Sequence, residues 1–314
     1  MALFSFIKNK HYQSGLTAIG LSPDGVCMVR VAREAGRKPR LLAHDFRPLG
    51  GGQTLDKVLG AVARDHGLKR AHCTTVLGDS DYKLLLTEVP DVPPDELKQA
   101  VRWRVKDLID FHINDTALDV FDIPGQEGAG AAREMYVVAA RNQAIQERAD
   151  LFQNAGVNLD VIDIPELAQR NLAALLSEDT QGVAMLSFTE RGGLITLTRQ
   201  GLLYLSRSLS TTLRDLEDAA TRAAHFDQVV LEVQRSFDYY ESHFRQAPIR
   251  SLALAPLPFE AVAFIDYLGA NLNAQVKSIQ LAQLIEVQGE LPPALQMSCL
   301  TALGAALRQE VKAL

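Results

Sequence analysis

Residues 17–32 read TAIGLSPDGVCMVRVA, and the architecture turns on this stretch. Apolar residues fill both arms. Between them, Ser22-Pro23-Asp24-Gly25 combines a fixed proline φ, an aspartate that bonds nearby backbone, and a permissive glycine. The pattern predicts a tight β-hairpin, and a third strand is expected over Arg40–Phe46. The same plan returns later in the chain. Val183–Phe188, Leu194–Thr198 and Leu202–Ser208 are strand-like runs, with turns expected at Arg191-Gly192-Gly193 and Gln200-Gly201. Two meanders, each followed by helices, imply a duplicated α/β fold.

The intervening sequence fits that frame. A helix is expected over Leu55–His66, followed by strands at Cys73–Leu77 and Lys83–Val89. Pro90–Pro94 breaks the chain, and Asp95–Asp110 then reads as a helix with the stripe Leu97, Val101, Val105 and Leu108. Strands at Leu118–Ile123 and Glu134–Ala140 flank a small-residue loop, Gly125–Ala132. Asn142 is placed to cap a helix to Asn154, and Gly156 to stop it. Strand Val157–Ile164 leads into helix Pro165–Leu176, where Asp163 and Glu166 have capping-box spacing. In Phe226–Phe244, the residues Val230, Val233, Phe237, Tyr240 and Phe244 recur at helical spacing and form a core seam. Strand Ile249–Leu254 and helices Phe259–Leu268 and Leu295–Leu307 complete the reading.

Composition narrows the class. Hydrophobic residues are 47% and charged residues 22% of 314, which describes a folded chain with ample core material. A net charge of −6 argues against nucleic acid as a partner. The seven histidines form no HxH or HxxxH pair, so no metal site is expected. Cys27, Cys73 and Cys299 are far apart in sequence and read as three buried thiols in a reducing compartment. No apolar run reaches the roughly 18 residues of a membrane span. The N-terminal MALFSFIKNK is too short for a signal peptide. It reads as a frayed end, or as a marginal membrane-surface contact through Leu3, Phe4, Phe6 and Ile7 beside Lys8 and Lys10.

VLEVQRSFDYYESHF (230–244), DELKQAVRWRVKDLIDF (95–111) and VVAARNQAIQERADLFQNAGVNLDVIDIPELA (137–168) resemble segments of the MshI/PilM family of type IV pilus proteins. TAIGLSPDGVCMVRVA sits where that family's first phosphate hairpin belongs. The resemblance implies an actin-like (ribonuclease H-like) two-lobed α/β fold with a small inserted α+β subdomain. Residues 1–89 would form part of the first lobe, 90–156 the insert, and 157–178 the first lobe's return. Residues 179–294 would form the second lobe, and 295–314 a C-terminal helix packing across both.

The resemblance also implies a nucleotide site, and the residues depart from it. Where family members read D-x-G on the first strand, this chain has Gly20-Leu21-Ser22, and Pro23 removes a backbone donor. On the second hairpin, Met185-Leu186-Ser187 replaces the motif, and Glu190 brings negative charge towards any phosphate. The adenosine loop is expected to be glycine-rich but reads Ala255-Pro256-Leu257-Pro258. Asp163 and Glu166 are the residual acids that could orient water, with helix-start chemistry as their simpler explanation. The expectation is a degenerate site with no catalytic residue and no cofactor; an ATP- and magnesium-binding switch or ATPase is the alternative.

Trp103 lies off the apolar stripe of its helix, as a packed or a partner-facing tryptophan would. In resembling proteins the insert and first lobe hold the cytoplasmic N-terminal peptide of a PilN-like membrane protein. Leu86, Val101, Trp103 and Arg104 are therefore the candidate partner-binding residues. The expected function is a non-enzymatic, cytoplasmic scaffold of an MSHA-type pilus complex. It would sit peripherally at the inner membrane through a PilN/MshJ-like partner. The equivalent part of a type II secretion system is the further alternative, and oligomeric assembly is compatible with the sequence.

Overall fold

A computed structural model describes residues 15–126, 133–289, 291 and 293–309. The N-terminal decapeptide, most of the Gly125–Ala132 loop and the last residues lie outside them. In the first lobe, β1 (Leu16–Ser22), β2 (Gly25–Ala32) and β3 (Arg40–Pro48) form the antiparallel meander. β4 (Cys73–Val76) and β8 (Leu159–Asp163) extend it in parallel, giving the order β3-β2-β1-β4-β8. Strand alternation divides the side chains between two cores. Ile19, Val26 and Met28 face α1 (Leu55–Asp65) and Phe152 of α3 (Asn142–Asn154), whereas Ala18, Cys27, Val29 and Val31 face the other lobe. Asn142 is the first residue of α3; Arg141 holds the cap position, without a side-chain cap bond.

The second lobe repeats this order. β9 (Val183–Thr189), β10 (Gly192–Arg199) and β11 (Leu202–Leu209) form a meander, extended in parallel by β12 (Ser251–Leu254) and β13 (Gln275–Ser278). Ala184, Leu186 and Phe188 meet α6 (Arg222–Phe244) and α7 (Val262–Asn271). The five seam residues predicted on α6 are all buried in that core. α5 (Leu213–Glu217) starts on a capping box in which Thr212 and Asp215 bond reciprocally. α8 (Leu281–Leu284) leads to Glu286, which pairs with Arg40 at the edge of β3.

Two helices lie between the sheets. α4 (Pro165–Ala173) packs on β9, β10 and β11, and α10 (Leu300–Ala306) packs on β1, β2, β4 and on α4. They touch at small residues, since a Cβ on Gly304 would lie 2.2 Å from the Ala168 carbonyl oxygen. The helix predicted over Leu295–Leu307 is two helices, α9 (Pro293–Ser298) and α10, broken at Cys299. That break corrects the cysteine reading: Cys27 and Cys299 are joined as a disulfide across 272 residues, and Cys73 alone is a free thiol among the described residues. Sequence separation hid the pair because only the packing of α10 on β2 brings the two together.

The insert has different bounds from those expected. β5 (Tyr82–Glu88), α2 (Leu97–Val105), β6 (Thr116–Asp122) and β7 (Glu134–Arg141) form its sheet and helix, with strand order β5-β7-β6. β5, assigned above to the first lobe, pairs with β7 along its whole length. α3, assigned to the insert, contributes Phe152 to the first-lobe core. α2 ends at Val105, so Leu108 never reaches the sheet and is exposed.

Candidate functional site

The β1–β2 hairpin closes on Ser22, whose Oγ accepts from the Gly25 amide at 3.2 Å. Glycine is required at position 25 because a Cβ there would lie 2.3 Å from the Arg47 carbonyl oxygen. Pro23 and Asp24 are exposed at the tip. Two residues before the end of β1, Gly20 faces α10, where a Cβ would meet the Ala302 Cβ at 3.4 Å. Glycine brings no carboxylate to that position, and the Ala302 and Cys27 side chains lie beside it.

The β9–β10 hairpin turns on Glu190 and Arg191, one to two residues earlier than predicted, and Gly192 and Gly193 begin β10. Glu190 is exposed and Met185 is fully buried between the lobes. Ser187 stands two residues before the strand end and is held from α4: its Oγ donates to Gln169 Oε1 at 2.6 Å. Gln169 Nε2 in turn donates to the Met185 carbonyl at 2.8 Å and to Thr196 Oγ1 at 3.0 Å. Sequence reasoning missed Gln169. Its only signal was a long amide one turn after Glu166 on a helix between two apolar sheets.

Both residual acids are occupied by the protein. The expected capping box does not form; Ile164 takes the cap position and makes no side-chain bond. Asp163, the last residue of β8, instead accepts from the Ile164 amide at 2.9 Å and from Arg308 Nη1 at 2.7 Å. Glu166 Oε2 accepts from the Tyr82 hydroxyl at 2.6 Å. Burial pushes the Glu166 carboxyl above its ordinary range, and the Tyr82 hydrogen bond offsets this in part. Burial, and then the neighbouring Glu166, likewise push the Tyr82 phenol up. These residues do not fit a magnesium–triphosphate group, which needs uncommitted carboxylate oxygens and free backbone donors.

Past β12, Ala255–Pro258 carries no glycine, and the Ala255 amide donates to the Leu186 carbonyl at 2.8 Å. Pro256, Leu257, Phe259, Val262, Ile265 and Leu281 line a cavity of about 520 Å³, and no charged side chain takes part.

On the insert, the four candidate partner residues do not share one surface. Val101 is fully buried with Val105, Met135 and Val137 beneath α2. Leu86 alternates with Leu85, which packs under α2, and so points to the opposite face of the sheet. Sequence could not separate the faces, because Leu84-Leu85-Leu86 shows no polar alternation. Leu86 is 39% exposed, and Trp103 is 63% exposed with Lys106 Nζ 5.9 Å from its ring centre. Arg104 reaches round the strand to the Glu88 carbonyl oxygen and carboxylate, both at 3.4 Å. β5 is an edge strand. Val89 N donates to Arg133 O on the β7 side, so Leu84 and Leu86 direct their backbone groups away from β7. An extended peptide can pair with such an edge.

Residues 88–196 match the family model of type IV pilus assembly protein PilM. No curated protein matches the sequence. Among solved structures, the chain is similar to one titled PilM-PilN type IV pilus biogenesis complex, with a TM-score of 0.67 and 20% identity over 94% of this chain and 98% of that one. It is also similar to the cytoplasmic domain of EpsL, an inner-membrane component of the Vibrio cholerae type II secretion system, with a TM-score of 0.53 and 11% identity over 95% and 97% of the two chains. A Bacteroides thetaiotaomicron protein with an actin-like ATPase fold follows, with a TM-score of 0.51 and 9% identity over 96% and 99%. The fold is actin-like, two-lobed α/β.

Proposed function

We propose that this chain is a non-enzymatic scaffold of a type IV pilus assembly complex of the MSHA type. It docks on the cytoplasmic N-terminal peptide of a PilN/MshJ-like inner-membrane protein. The observation that carries the reading is the self-occupied cleft: Ala302 against Gly20, Gln169 on Ser187, Arg308 on Asp163 and Tyr82 on Glu166. A cleft whose polar groups already bond one another has little to offer a triphosphate, so it serves as structure and the protein acts by binding. The match to the PilM family model supports this reading because it spans most of the insert and the cleft's second hairpin. The PilM-PilN neighbour supports the class of partner.

In this reading the protein is cytoplasmic and reaches the inner membrane through its partner. No described helix is long and apolar enough to cross a membrane. The peptide lies along the edge of β5, pairing with the backbone of Leu84 and Leu86, and Trp103 contributes to a separate contact. Fluorescence anisotropy with a labelled N-terminal peptide of a PilN-like protein tests this. The expected result is saturable binding at about micromolar Kd, weakened by Leu86→Pro, which removes a backbone donor. Absence of binding at about 1 mM overturns the reading. The EpsL neighbour favours a second one, the equivalent scaffold of a type II secretion system. Preference for that system's partner peptide would select it.

A further inference from the structure

One short segment, residues 299–308, is tied to β2, to Arg33 just beyond it, to β8 and to α4. Asn171 Nδ2 donates to the Gly304 carbonyl at 2.9 Å, Arg33 Nη1 to the Leu307 carbonyl at 2.6 Å, and Arg308 pairs with Asp163. The fourth tie is the Cys27–Cys299 disulfide, with Cα atoms 5.6 Å apart, inside the range a disulfide spans. Cys27 is 2% and Cys299 4% exposed, and both belong to the interlobe core. Of the four ties, this one alone can be made and broken by electron transfer. Disulfides inside a reducing compartment are characteristically transient and sensing rather than structural. The step to reversibility therefore rests on the cytoplasmic placement proposed above.

We propose that Cys27 and Cys299 form a reversible thiol–disulfide staple that sets how firmly α10 is held between the lobes. The oxidant is a low-molecular-weight disulfide of the glutathione class. The Cys299 thiolate attacks one of its sulfurs and expels a thiolate, leaving a mixed disulfide. The Cys27 thiolate then attacks the Cys299 sulfur and expels the second small thiolate. Two protein thiols and one small disulfide become one protein disulfide and two small thiols. Two electrons pass to the small molecule, and both protons end on its thiols. Reduction is the reverse. Cys299 is the sulfur reached first, because it stands at the break between two short helices. Cys27 is locked in a strand paired on both sides. Cys73 stays out of the exchange: it is buried under the Leu68 carbonyl, and burial pushes its thiol up to about 12.

The test uses the full chain in glutathione buffers from reducing to oxidising, alkylated after denaturation and weighed by mass spectrometry. Three alkylated thiols are expected at the reducing end and one at the oxidising end, with the same midpoint approached from either side. Native hydrogen exchange over 299–308 should slow roughly tenfold on oxidation. Cys27→Ser should stop the reaction at the glutathione mixed disulfide on Cys299 and abolish the slowing of exchange, and Cys73→Ser should preserve both changes. Three thiols at every poise would overturn the proposal. So would a disulfide that the folded chain never releases, or a thiol change that leaves exchange over 299–308 unmoved. The thiol count needs no partner, so failure of the staple and failure of the peptide reading are separate results.

Discussion

The two lobes share one strand order, but the matching position in each is closed by different chemistry. In the first lobe, Gly20 lets Ala302 approach, and the contact is apolar throughout. In the second, Ser187 is hydrogen-bonded to Gln169, which also satisfies Met185 and Thr196. Packing alone can be repaired by small shifts. A hydrogen-bonded closure leaves several buried groups unsatisfied when one member is removed. The second lobe should therefore tolerate change at this position less well than the first.

The largest effect is expected where the two lobes meet. Asp163 and Arg308 form a pair whose side chains are 2% and 11% exposed. Arg308→Ala strands the carboxylate and should cost about 3–5 kcal/mol, read from urea unfolding. Gln169→Ala should follow at about 2–3 kcal/mol, since Ser187 and the Met185 carbonyl lose their partner. Gly20→Ala needs only a small retreat of Ala302 and should cost about 1–2 kcal/mol. Equal losses at Gln169 and Gly20 would erase the distinction between the lobes.

Glu166→Gln should have the smallest effect, under about 1 kcal/mol, because the amide oxygen still accepts from Tyr82. Its signature lies in pH dependence. Burial raises the Glu166 carboxyl, so its favourable contribution is fully present below its ordinary value of 4.5 and is lost as pH rises through the folded value. The substitution should flatten the fall in stability above pH 4.5. An unchanged slope would assign that fall to other groups.

The same contrast explains what was legible in the sequence. The meanders could be read because Pro23-Asp24-Gly25 and the glycine-containing turns between apolar runs are local signals, and the α6 seam because its spacing is helical. β5 was misplaced because its leucine run fits either sheet, and only pairing with β7 decides. Glycine and serine at the cleft could be read as departures from a motif. What fills the space around them could not. Gln169, Arg308 and the Cys27–Cys299 pair act through contacts made only once distant elements pack. Asp163 and Glu166 stand three apart as a capping box requires, but the helix starts one residue later with Ile164 at the cap, and each acid takes a tertiary partner.

We propose that the cleft between the lobes serves as structure rather than as a nucleotide site. Calorimetric titration of the intact chain with ATP and magnesium bears on it most directly. Self-occupation of Gly20, Ser187, Asp163 and Glu166 predicts no saturable heat up to about 1 mM nucleotide. One-to-one, magnesium-dependent binding at about micromolar Kd would contradict it.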